Sequence, residues 1–426
     1  MMLVAAAVLC SCKGRGPNYV RVDLPMAGDE YGPDGVIEKG GAAIAFHDLE
    51  VHVVEAASAG IVHHVFREDG RDEGSGIVLE LDIDLWDLDA ERIASKLGDG
   101  ALEWEEQERL EKCIEAVPKK IKSRIAILPG GLSPRPGGGW ALAFSAVNRL
   151  TCGGGKKVVA CLDHVVLFDE DWSLTDEPEL VRYGGEPRVH AIVFSGDEPL
   201  LAWATKTAAG ISSPASTTPI PVKDGALEYE PLFVQAGDRL AVITRPPGRI
   251  RARLLDLPDG SSAVDVLINP GKNPLSVAAA WTGDRLGVFF GLDRAEGVSS
   301  LLQHILVEVH PGGTASTPVK IYTQFSMAED TCFTCHFTAV FADDTYALAW
   351  IADDGYSQDL YLQEVPLGGL AGEKKAWRRD FPEGYRALKG VTLFATPPQY
   401  VVHYLAATAY TTHAHKIFLT ALPTQR

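Results

Sequence analysis

Five stretches of this chain repeat one pattern, an apolar strand, a tight acidic turn and a second apolar strand: AIVFSGDEPLLAWAT from Ala191, LFVQAGDRLAVIT from Leu232, VAAAWTGDRLGVFF from Val277, FTAVFADDTYALAWI from Phe337 and VTLFATPPQYVVHYL from Val391. Aligned on Gly196, Gly237, Gly283, Asp343 and Pro397, the turns recur in steps of 41, 46, 60 and 54 residues. Each copy is followed by another strand-like run, such as that ending at Leu257, Val309, Val365 or Leu422. Four strands per unit follow. One four-stranded sheet cannot bury both its faces alone, so units of this kind must stack on one another.

Steps of this size fit one propeller blade with loop insertions. Two further units fit before the clear repeats, near residues 42–88 and 125–174, giving an all-β β-propeller of about seven blades, six to eight, over residues 40–426. The 42 Gly and 26 Pro suit a chain of many turns. Leu79, Leu81, Ile83 and Leu85 alternate with Glu80, Asp82 and Asp84, as in a strand with one buried face. One segment departs from this: about 90–123 carries Leu97, Leu102, Leu110, Cys113, Ile114 and Val117 among many charges, and reads as an amphipathic helical insertion. The repeats resemble those of bacterial TolB-like and WD-repeat-like propellers. The Trp-Asp pair that names the second group occurs at Trp86-Asp87 and does not recur at unit ends. Such folds host binding modules, scaffolds, hydrolases and oxidoreductases, so the resemblance implies architecture alone.

The first residues, MMLVAAAVLCSCKG, form an apolar run too short to span a bilayer and of the length of a signal-peptide core. Leu9-Cys10-Ser11-Cys12 resembles the bacterial lipobox, which implies cleavage after residue 11 and a lipid on Cys12. Cys10 does not fit, because Leu9 directly precedes it. Residues 12–39 then read as a lipidated tether rich in Gly, Pro and Asp, although Tyr19 to Leu24 alternate well enough for a strand. The expected location is the bacterial cell envelope, with the lipid as the membrane contact. A formal charge of -18 and the lack of a dense basic stretch argue against nucleic acid as a partner.

In an oxidising compartment Cys152 and Cys161, which bracket Gly153-Gly154-Gly155, are expected to close as a disulfide across a hairpin. Cys332-Phe-Thr-Cys335-His336 carries more than one reading. Its thiols can pair as a small disulfide that stiffens the loop before a repeat. The same five residues match the c-type haem attachment motif, in which both Cys bind the haem vinyl groups and His336 becomes an axial ligand. Met327 is then the candidate sixth ligand, with His304 and His310 beside it. A metal or thiol-redox site is a third reading. Of these the disulfide is favoured, so no cofactor is expected, with haem c as the alternative.

His413 and His415 lie on one side of an extended segment, with His403 on the preceding strand, a weak metal-ligand pattern. His63-His64 is weaker, because adjacent strand residues point to opposite faces. Asp169-Glu170-Asp171 lacks the ligand spacing of a calcium loop and is expected to be solvated. No nucleophile elbow, zinc-protease helix, phosphate loop or dinucleotide fingerprint is found, and no catalytic residue is assigned. The leading expectation is a non-catalytic binding or scaffold module for an unknown protein, peptide or glycan. A monohaem electron-transfer or sensing protein and a hydrolase are the alternatives.

Overall fold

The computed structural model describes residues 19–22, 43–48, 50–57, 60–67, 72–80, 124–151, 157–184, 190–204, 209–213, 216–220, 231–274, 276–296, 299–326, 335–353, 358–367, 377–380, 385–396, 399–408 and 415–423. Among them every long element is a strand, and the strands form seven antiparallel sheets of four.

Six sheets are consecutive meanders. Sheet 1 holds β2 (Ala43–His47), β3 (Glu50–Ala57), β4 (Gly60–Arg67) and β5 (Asp72–Glu80). In sheet 2 are β6 (Arg124–Pro134), β7 (Trp140–Thr151), β8 (Lys157–Phe168) and β9 (Glu179–Gly184). Sheet 3 consists of β10 (His190–Ser195), β11 (Glu198–Ala204), β12 (Ala209–Ser213) and β13 (Ser216–Ile220). Sheet 4 comprises β14 (Leu232–Ala236), β15 (Arg239–Thr244), β16 (Ile250–Asp256) and β17 (Ser262–Ile268). Next come β18 (Ser276–Trp281), β19 (Leu286–Glu296), β20 (Ser299–Val309) and β21 (Val319–Ser326) of sheet 5. Sheet 6 has β22 (Cys335–Ala342), β23 (Thr345–Asp353), β24 (Gln358–Pro366) and β25 (Trp377–Asp380). The last sheet breaks the rule. Its β26 (Tyr385–Thr396), β27 (Gln399–Thr408) and β28 (His415–Pro423) are completed by β1 (Tyr19–Val22), which pairs with β28 from Tyr19 opposite Thr420 to Val22 opposite Ile417.

The repeated turns join the first two strands of their sheets, as their register in the sequence requires. Tight hairpins favour residues with positive φ; Gly196 (φ 60°) and Gly237 (φ 67°) supply it in sheets 3 and 4, and Asp343 (φ 51°) with Asp344 (φ 60°) in sheet 6. The units expected near 42–88 and 125–174 correspond to sheets 1 and 2. Of the alternating Leu79 to Leu85 segment, Leu79 is buried and Glu80 exposed at the end of β5, and residues 81–85 lie outside the described residues. So do the signal segment, the helical insertion at about 90–123 and the tether apart from β1.

Period-two geometry lets a strand bury both faces when sheets lie on either side. On β7, Trp140, Leu142, Phe144 and Ala146 pack against Val54, Ile61 and Leu79 of sheet 1, whereas Ala141 and Ala143 meet Ile192, Phe194 and Leu201 of sheet 3. The same alternation recurs on β19: Val288 and Phe290 join the core shared with sheet 4, and Phe289 joins Tyr346, Leu348 and Trp350 of sheet 6. Sheets 3 and 4 share a core of Leu200, Ala202, Ile211, Leu240 and Val242. Consecutive sheets therefore stack face to face through sheet 6, and the first strand of each sheet lies beside the first strand of the next, through to β26. This is why the strands read as nearly unbroken apolar runs. Gln235 of β14 reinforces the stack by mimicking a strand partner: it accepts from the Phe194 N–H at 2.8 Å and donates to the Phe194 carbonyl at 3.1 Å.

Candidate functional site

One group of buried titratable side chains lies between sheets 1 and 2. His52 on β3 and His63 on β4 share the face toward sheet 2, and both are buried, at 6% and 5% exposure. His52 Nδ1 and His63 Nε2 are 3.0 Å apart, a hydrogen bond in which one ring must be neutral to accept. Trp140, at the start of β7, sits 4.2 Å from His52. Trp172, in the β8–β9 turn, stacks on His63 with centroids 3.4 Å apart and on Trp140 at 5.0 Å. The turn that delivers Trp172 is held by Asp169, whose carboxylate accepts from the Asp171 and Ser173 N–H groups, and Trp172 itself has φ 62°, uncommon for a residue with a Cβ.

Burial is the main reason that both imidazoles resist protonation. His52 is lowered from 6.5 to about 4, by desolvation first and then by His47, with Asp48 opposing. His63 is lowered to about 3 by desolvation, then by His52 and His64. Both rings are neutral at pH 7. His64 points to the opposite face, as strand alternation demands, where its Nε2 is 3.0 Å from Glu55 Oε1.

A second polar group lies between sheets 2 and 3. Asp163 of β8, fully buried, accepts from Ser145 Oγ at 2.6 Å and from Arg182 Nη1 at 2.5 Å. The Arg182 guanidinium lies 4.1 Å over the Trp203 ring of sheet 3, and Trp203 Nε1 donates to Ser212 Oγ at 2.9 Å. Trp203 stands opposite Gly210 in the β11–β12 register, and its indole occupies the space that a Cβ there would need. A third group joins sheets 5 and 6: Tyr346 donates to Glu308 at 3.2 Å, Arg285 lies 3.5 Å from the same carboxylate and pairs with Asp284 at 2.8 Å. Burial, then the Glu308 charge, pushes the Tyr346 hydroxyl well above its ordinary range. Each of these arrangements bridges two sheets.

Of the residues singled out in the sequence, His63 belongs to the first group and Asp169 to the turn that carries Trp172. Cys12, Cys152, Cys332, Met327 and His413 lie outside the described residues. Cys161 is buried on β8, opposite Val147 and Gly184, on the face toward sheet 3 by alternation. Cys335 and His336 open β22 at a register irregularity that ends at Thr338. His403 on β27 stands opposite Thr392 and Leu419, and His415 begins β28 opposite Ala407. His304 is fully buried on β20 against Phe337 (5.0 Å) and edge-on to Trp350 (4.5 Å), where burial lowers it to about 3. Asp169, Glu170 and Asp171 are exposed, as expected.

Sequence reasoning missed His52, Trp172, Ser145, Asp163 and Arg182. The available signal was a polar residue interrupting an apolar run, as Ser145 does in ALAFSAV and Asp163 in VVACLDHVV.

No protein-family model matches the chain, and no curated protein does. Several solved structures align with the chain at low similarity. The polysaccharide lyase Uly1 is 8% identical over 98% of this chain and 94% of its own, with a TM-score of 0.43. A prolyl endopeptidase is 10% identical over 86% of this chain and 46% of its own, at 0.39. Kuenenia stuttgartiensis hydrazine synthase is 9% identical over 65% of this chain and 83% of its own, at 0.34. Likeness at this level carries no activity over to the chain.

Proposed function

We propose that the seven sheets close into a seven-bladed β-propeller, tethered to the cell envelope by lipid on Cys12, that binds a protein, peptide or glycan without transforming it. The observation that carries this reading is the pairing of β1 with β28. A strand from the start of the chain completes the sheet built from its end, which is how a backbone ladder would fasten a ring where a linear stack would leave an edge. The sequential stacking of sheets 1 to 6 and the row of neighbouring first strands support it further. The buried polar groups are spent on joining sheets, which favours a rigid platform.

Three measurements test the parts separately. Deleting residues 19–22 should expose β26–β28 to proteolysis and leave sheets 2 to 5 protected; unchanged protection of β28 would refute the closure. Labelled fatty acid should tag the wild type and spare Cys12→Ala; equal labelling would remove the anchor. Binding to arrayed glycans and peptides, followed by mass analysis of the ligand, addresses the activity. Bound ligand recovered intact supports a binding module, whereas cleaved ligand makes the protein a hydrolase or lyase. Expression with the haem-attachment machinery decides the Cys332 motif. A Soret band would replace the binding reading with the monohaem one, with Cys332 and Cys335 as attachment points and His336 as axial ligand.

A further inference from the structure

We propose that the His52–His63 pair is an acid-sensitive clamp, whose neutral imidazoles hold sheet 1 to the β8–β9 turn of sheet 2 and whose protonation releases that contact. The geometry requires at least one neutral ring. With both rings protonated, His52 Nδ1 and His63 Nε2 would be two donors 3.0 Å apart, bearing like charges in a buried layer. The layer is the contact itself: His63 is stacked on Trp172, Trp172 on Trp140, and Trp140 lies against His52.

The surrounding charges compensate a proton poorly. From the β2–β3 side His52 faces His47, the exposed Asp48 and Glu50, whose carboxylate is 3.8 Å away and half exposed. From β4 the neighbouring group is His64, which is engaged with Glu55 on the opposite face. Sheet 2 presents Trp140, Phe168 and Trp172, with Asp169, Glu170 and Asp171 exposed in the same turn. Among the described residues no carboxylate lies within ion-pair distance of His63.

Because both imidazoles have their folded values depressed, the closed contact is fully favoured above about 6.5 and weakens as pH falls toward 4 and 3. At pH 4.5 one such imidazole has lost about 100-fold of the closed-to-open ratio it contributes at pH 7. The opening is local, because sheets 4 and 5 meet through an apolar core.

The test is hydrogen exchange of the intact chain between pH 7 and 4.5, corrected for the intrinsic pH dependence of exchange. With both imidazoles counted, protection in β3, β4 and residues 169–175 should fall by on the order of a thousandfold while β15 and β16 hold theirs. In His63→Phe, which keeps a ring on Trp172 and removes the titrating group, the fall should shrink at least tenfold. Carbon-13 shifts of the histidine rings should place His52 and His63 titrating well below 6.5 in the wild type, a readout that stands even if the variant does not fold. An equal loss of protection in β15 and β16, an unchanged fall in His63→Phe, or titration of both rings near 6.5 would each overturn the clamp.

Discussion

Replacing Asp163 tests whether the buried polar group between sheets 2 and 3 holds the stack together. The carboxylate is fully buried, Arg182 is 7% exposed, and the two are joined at 2.5 Å. In Asp163→Ala the guanidinium stays pinned over Trp203 with its counter-charge gone, and Ser145 loses an acceptor at 2.6 Å. Removing one partner of a buried ion pair costs about 3–5 kcal/mol, because the remaining charge is left in a medium that solvates it poorly. The lost hydroxyl bond adds about 1 kcal/mol. The expected destabilisation is therefore about 4–6 kcal/mol. Arg182→Met strands the Asp163 carboxylate and should cost about 3–5 kcal/mol, keeping the Ser145 bond and the apolar cover on Trp203. The double variant should cost well under the sum, by about 2–3 kcal/mol, because the second substitution removes the charge that the first one stranded. Urea unfolding at pH 7 followed by far-UV circular dichroism reads all three. A loss below about 1 kcal/mol in Asp163→Ala, or strict additivity of the two, would refute the view of this group as a clamp between sheets.

Gly287→Ala should destabilise by about 1–3 kcal/mol, because the new Cβ would lie 2.7–2.9 Å from the Tyr346 ring that Glu308 and the core hold in place; a thermal melt checks it. Trp350→Ala should cost about 3–5 kcal/mol, since this fully buried indole stacks on Tyr361 at 5.1 Å and fills the core between sheets 5 and 6. By contrast Asp265→Ala, which breaks the pair with Arg251 at 2.7 Å on the rim of sheet 4, should change stability by less than about 1 kcal/mol, and by still less in high salt.

The regular part of the fold was legible because it is local. Apolar alternation, Gly-Asp and Asp-Asp turns and the unit length sit within a few dozen residues, and each copy repeats the message, so sheets 3 to 6 could be placed on the sequence. The alternation that made His63-His64 the weaker pattern is local too, and it sends His64 to Glu55 and His63 to His52. The candidate sites are another matter. Nothing near His52 announces Trp172, and nothing near Asp163 announces Trp203, because those partners come from the facing sheet and depend on how sheets stack. Cysteine spacing offered a conspicuous motif; among the described residues the side chains that cluster are histidines, tryptophans and the Asp163–Arg182 and Glu308–Arg285 pairs, each ordinary in its own strand.

What the sequence by itself determined is the repeated four-stranded sheet, since side-chain period and turn chemistry act over neighbouring residues. Tertiary structure alone decided that β1 completes the seventh sheet and that two imidazoles meet two indoles between sheets 1 and 2. Both outcomes depend on surfaces brought together from distant parts of the chain, where burial, rather than any local preference, sets which polar groups must find each other.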